Sequence, residues 1–198
     1  MYVRLENAKQ LWNRTSQEVQ DAIKQHEQFL SSLEDYSDWA FVIKTHAFLE
    51  GLITSLINSH SGEFRLGSMA ARLPMNSSDG ISKLELVKTN KLLSSEQIRF
   101  IGMLGKIRNQ LAHDVCMVEA FSFDNYICNL DANQKKNWRR DLTYFALEDT
   151  RCDLPDDALS EPREAITGSL LDLICTIERA KVLVAIEKVR AEVSSVMN

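Results

Sequence analysis

The chain has 198 residues, 44% hydrophobic and 26% charged, an ordinary globular composition long enough to close a core without disulfide or metal staples. Seven glycines and three prolines argue against a turn-dense β-sandwich or a low-complexity linker protein, and for a mostly helical fold. A net charge of −5 weighs against a surface that coats duplex nucleic acid nonspecifically and leaves only local basic patches for such a role. In chain order, residues 1–6 have no basic start followed by an apolar h-region, and no stretch approaches 18 uncharged apolar residues, so a soluble cytoplasmic protein with no membrane partner is expected. Thr15 and Glu18 have capping-box spacing, predicting a polar-rich helix from there to about Leu33. The turn Asp35-Tyr36-Ser37-Asp38 supplies N-cap chemistry for a core helix with apolar recurrence at Val42, Leu49, Leu52 and Leu56, ending near Ser61-Gly62.

The segment Leu66 to Leu73 reads as a short helix stopped by Pro74, and Met75 to Gly80 as a polar loop. A helix is predicted over Ile81 to Leu93, and Ser94 or Ser95 restarts one with the stripe Phe100, Leu104, Ile107 and Leu111. Phe121 to Leu130 and Ala132 to Ala146 read as two shorter helices. The basic cluster Lys135-Lys136-Asn137-Trp138-Arg139-Arg140 on the second suits a clamp on single-stranded nucleic acid, with Trp138 as a plain helix anchor as the alternative. Leu147 to Glu161 gathers six acidic residues around Pro155 and is the linker candidate, dividing a 1–146 helical domain from a long helix over 162–198. That helix starts at Pro162 and carries two seams, one through Ile166, Leu170, Leu173, Ile177, Ala180 and Val184, the other through Val182, Ile186, Val189, Val193 and Val196. Two seams imply two packing partners, so the distal half packs along the domain or reaches a second subunit. The scattered Cys116, Cys128, Cys152 and Cys175 form no Cys-x-x-Cys pair and read as buried or inert thiols.

The most informative stretch is Lys106 to Asp114, which places Arg108, Asn109 and His113 at the C-terminal end of an amphipathic helix. At about 100° per residue, Asn109 and His113 share a face while Arg108 lies about 140° from His113. Either the helix loosens before His113, or a second chain completes the site across a two-fold axis. The structural alternative is that Arg108 pairs with an acid such as Glu50, while His113 meets the negative pole of the helix dipole. From Ile81 to His113, six cations including Lys106 and Arg99 face two glutamates, a local net of +4 that suits an anionic ligand or, alternatively, a solvated face. His26, His46 and His60 lack metal-like spacing, so no metal or other cofactor is expected, and glycine-rich phosphate loops and Gly-x-Ser-x-Gly elbows are absent.

Arg108-Asn109-Gln110-Leu111-Ala112-His113 resembles the Arg, four to six residues, His motif of the HEPN superfamily. Ala47-Phe48-Leu49-Glu50, Leu66 to Leu73, Lys106 to His113 and Phe121-Ser122-Phe123-Asp124 with Cys128 and Leu130 are similar to the mannitol operon repressor family within it, together covering roughly Thr45 to Leu130. The resemblance implies an all-α antiparallel helical bundle that dimerises, with the Arg and His elements of two chains facing one cleft. It also implies a metal-independent endoribonuclease of single-stranded RNA in a stress or defence setting. His113 would act on the attacking 2′-hydroxyl or the leaving 5′-oxygen, Arg108 would hold the scissile phosphate and Asn109 would orient either. Lys106, Arg99 and Glu50 are the accompanying substrate-binding candidates. The mannitol repressor branch implies instead a non-enzymatic regulator with a protein partner. Where antitoxin-paired ribonucleases of the superfamily commonly carry a tyrosine two residues after the histidine, this chain has Val115, so any control must differ.

Overall fold

The computed structural model describes residues 5–61, 69–77, 80–113, 116–142 and 157–196, and among them the chain is helical with no strand. Its elements are α1 (Leu5–Lys24), α2 (Glu27–Ser32), a 3-10 turn (Leu33–Asp35), α3 (Asp38–Ser61), α4 (Lys83–Thr89), α5 (Ser95–His113), α6 (Met117–Ala120), α7 (Phe123–Cys128), α8 (Ala132–Leu142), α9 (Asp157–Ser160) and α10 (Pro162–Val196).

α3 is the centre of the bundle. Phe41, Val42, Leu49, Ile53 and Leu56 are all at most 1% exposed because α5 covers one side of the helix and α10 another. By length and composition alone Asp38–His60 would pass for a membrane span, yet half of that window is already buried against neighbouring helices. α5 runs antiparallel to α3: Gly105 lies against His46, and beyond the end of α5 the Phe123 backbone N–H donates to Asp38 Oδ2 at 2.8 Å, at the start of α3. α10 runs parallel to α3, since Arg163 bonds Asp38 at one end and Lys188 Nζ donates to the Ser59 carbonyl at the other. α1 lies antiparallel along the distal half of α10, with Arg14 and Glu18 beside Val189 and Arg190, and His26 Nε2 3.1 Å from Glu178 Oε1.

Local chemistry explains where the helices stop. Thr15 lies inside α1, and Glu18 is used by Arg14 in an i,i+4 ion pair at 2.9 Å, so the expected start of a helix at Thr15 is corrected to Leu5. α4 is shorter than predicted because Ser82, in extended backbone, caps it by accepting from the Glu85 N–H at 3.1 Å. At its other end Lys91 turns left-handed at φ 54°. The Leu92 N–H returns to the Val87 carbonyl and the Lys91 N–H to the Lys88 carbonyl, a Schellman ending. α5 begins with a reciprocal capping box: Ser94 Oγ accepts from the Gln97 N–H, and Gln97 Oε1 from the Ser94 N–H at 3.0 Å. The Gln97 amide also donates to Asp172 and Thr176, which fixes α5 on α10.

The acidic segment predicted as a linker ends in structure. Residues 147–156 lie outside the described residues, but 157–160 form α9, packed on α8 and α10. Ala158 is fully buried, and its carbonyl accepts from Trp138 Nε1 at 2.6 Å, so Trp138 anchors helices and does not offer a free stacking face. Arg163 then clasps the start of α10 onto the 3-10 turn, donating to the carbonyls of Leu33 and Tyr36. The first seam of α10 is the core, with Ile166, Leu170, Leu173 and Ile177 fully buried. The second finds a partner in the same chain, as Ile186 lies against α1, while Leu183 and Val189 stay exposed. At about 1.5 Å per residue α10 spans about 50 Å, long enough to serve both seams. Of the two readings of the cysteines, buried or inert, burial is corrected: Cys116, Cys128 and Cys175 are exposed, because they occupy a turn, a helix end and an outward position of α10. Although exposed at the surface, the Cys175 thiol is pushed up by desolvation from its packed neighbours and by the nearby Asp172 carboxylate, favouring its protonated form. Cys152 lies outside the described residues.

Candidate functional site

α5 carries a buried stripe, Phe100, Leu104, Ile107 and Leu111, which fixes the direction of every other residue on the helix. Arg108, Asn109 and His113 therefore project to solvent in its last turns. One guanidinium nitrogen of Arg108 donates to Asn109 Oδ1 at 3.1 Å, so Asn109 steadies the arginine directly. α5 stays helical through His113, so the expectation that the helix loosens before the histidine is not met. Within one chain Arg108 and His113 thus remain about 140° apart around the axis. Asp114 and Val115, with the departure noted at Val115, lie outside the described residues.

The six candidate residues fall on two flanks of α5. On one flank stands Arg108, close enough to affect the charge state of His46 on α3. His46 is buried against α5 where residue 105 is glycine: a Cβ there would lie 3.5 Å from His46 Nε2 and 3.4 Å from Asn76 Nδ2. Desolvation, then the Arg108 and Lys83 cations, lower the His46 pKa, and the Glu50 carboxylate offsets part of this. One turn along α3, Glu50 accepts from Lys83 Nζ at 2.6 Å, with the lysine side chain 2% exposed and the carboxylate 39%. Glu50, like Arg108, acts on His46, but the partner it holds is Lys83.

On the opposite flank, Arg99 and Lys106 line an open groove between α5 and the α7–α8 pair. Arg99 Nε stands 3.4 Å from Asp141 Oδ1 and its guanidinium also reaches Glu96, whereas Lys106 is exposed. Arg140 Nε pairs with the same Asp141 oxygen at 2.8 Å. The structure thus brings Arg99 and Lys106 to one groove, whereas Arg108 and Glu50 both act on His46 and the expected Arg108–Glu50 pair is not formed, Glu50 holding Lys83 instead.

Three participants escaped sequence reasoning: His46, Asn76 and Lys83, each from a separate stretch of chain. The available signal was Gly105, a glycine inside a strongly patterned helix, which marks a close approach by another group. Among the described residues no group of three or more His, Cys, Asp or Glu side chains is placed to hold a metal ion. What the surface can offer chemically is an unburied arginine steadied by an amide, an exposed imidazole beyond it at the helix end, and a groove with cations on one flank. Searched against models of known families, curated proteins and solved structures, the chain matches none.

Proposed function

We propose that the chain is a HEPN-like homodimer that cleaves RNA without a metal ion, through sites shared between two α5 helices. One observation carries the reading: the end of α5 presents Arg108, Asn109 and His113 together to solvent, and Arg108 forms no ion pair with a carboxylate among the described residues. An arginine in that state is available for a phosphate, which matches its planar fork of donors. RNA brings its own nucleophile. In this reading His113 takes the proton from the 2′-hydroxyl or gives one to the departing 5′-oxygen, as the P–O2′ bond forms and the P–O5′ bond breaks. Arg108 stabilises the charge that grows on the phosphoryl oxygens. The 140° divergence of the two side chains is what a second chain, related by a two-fold axis, would resolve.

The test is incubation of labelled RNA with purified protein in excess EDTA, wild type against His113→Ala. Loss of the acid/base group is expected to slow cleavage by about 10²–10⁴, with helicity unchanged because His113 is exposed. A second reading, a non-enzymatic regulator acting through protein contacts, is favoured by Leu183 and Val189, which stand 46% and 59% exposed on α10. Absence of cleavage by the wild-type protein would leave that reading standing.

A further inference from the structure

The flank of α5 opposite Arg108 forms one wall of a cavity of about 470 Å³, whose other wall is α7 and α8. A second depression of about 290 Å³ shares Gln110, Tyr126 and Gln134 with it, so the two form one continuous groove. Its charged lining is three cations, Arg99, Lys106 and Arg140, and one carboxylate, Asp141, with Glu96 also reached by Arg99 from beside the groove. Lys106 is the cation of the lining that forms no ion pair with a carboxylate among the described residues. Asp141 is clasped by both arginines and its side chain is 12% exposed, so its charge is matched within the protein, and the exposed Lys106 leaves the groove a net positive charge. Tyr126 is half-buried and held by Trp138 and Phe121 at ring distances of 5.5 and 6.0 Å, which makes it a rigid aromatic edge of the groove. In a chain of net charge −5, this combination of cations, amides and one fixed aromatic ring suits a phosphodiester strand with exposed bases.

The groove also leads to the proposed chemistry. Arg99, Lys106, Gln110 and His113 fall within about 60° of one another around the helix and span about 21 Å along it. We propose that this groove binds the single strand of RNA that reaches His113, with phosphates on Lys106 and Arg140 and a base against Tyr126. The inference rests on the RNA reading above for what happens at His113, but binding in the groove stands apart from cleavage.

Gly102 makes a clean test. It lines the groove, and a Cβ built on it meets nothing within 4 Å, so a side chain can start there without a clash at its first carbon and extend into the groove. In the His113→Ala background, anisotropy of a labelled single-stranded RNA of about 12 nucleotides is titrated against Gly102→Ala, Gly102→Glu and Arg140→Glu. Gly102→Glu and Arg140→Glu are expected to weaken binding about tenfold or more. Removing a cation that neutralises one phosphate reduces the slope of log affinity against log salt by about 0.7. Gly102→Ala retains binding, and so does Lys24→Glu, which alters charge on exposed α1. Wild-type-like affinity in both groove variants, or no binding of any strand by the parent, overturns the proposal. Binding that obeys these rules without cleavage by the His113-intact protein upholds the groove and removes the nuclease reading. Cleavage with KM unaffected by Gly102→Glu does the reverse.

Discussion

The Glu50–Lys83 pair makes an asymmetric prediction, because its two members sit in different environments. The ammonium of Lys83 is 2% exposed and relies on Glu50 at 2.6 Å, while the carboxylate is 39% exposed and keeps water. Removing one partner of a fully buried pair costs about 3–5 kcal/mol, and an exposed pair is worth about 0–1 kcal/mol. Glu50→Gln strands the buried cation and should fall near the upper range, about 3 kcal/mol after allowance for the hydrated side of the pair. Lys83→Met fills similar volume and leaves a carboxylate that water can solvate, so its cost should be about 1 kcal/mol or less. The double variant should resemble Lys83→Met alone, giving a coupling of about 2–3 kcal/mol. Urea unfolding at neutral pH, followed by far-ultraviolet circular dichroism, reads all four stabilities. Equal costs for the two single variants, or a larger cost for Lys83→Met, would refute the argument from unequal exposure.

Two more predictions concern His46 and the end of α4. The folded protein holds the His46 pKa below its ordinary value, chiefly through burial, with Arg108 from α5 and Lys83 from α4 adding to the effect against Glu50 on α3. The unfolded chain therefore binds more protons, so this contribution to stability is full above about pH 6.5 and is lost as pH falls. His46→Gln should flatten the stability profile as pH falls below about 6.5, whereas parallel profiles would count against it. Lys91 adopts φ 54° in the Schellman ending of α4, so Lys91→Gly is expected to stabilise by about 0.5–1 kcal/mol in the same unfolding assay, and a loss of stability would contradict the assignment.

Much of the bundle was legible because apolar recurrence survives local noise. Leu49, Leu52 and Leu56 marked α3, and Ile166 to Ile177 marked the buried half of α10, all as found. Boundaries were less legible, because the same residue type serves several ends. Glu18 offered a capping box on paper and is spent on Arg14, whereas Ser94 and Gln97 form a capping box that also reaches α10. The partner of the second α10 seam was hidden because α1 is polar-rich and joins it only through tertiary packing. At the candidate site, helical geometry alone gave the divergence of Arg108 and His113. The approach of His46 and Asn76 to Gly105, the Lys83–Glu50 pair beside them, and the pairing of Arg99 and Arg140 through Asp141 needed the fold to assemble them.

The central claim is that Arg108 of one chain works with His113 of another, and subunit mixing tests it most directly. Arg108→Ala and His113→Ala proteins, each inactive alone, are mixed in equal amounts, allowed to exchange subunits and assayed on labelled RNA in EDTA. If the site is shared, half of the dimers are mixed and each carries one intact site of two, so activity should return to about a quarter of the wild-type value. If no activity returns although mixed dimers are shown to form, the shared site is contradicted.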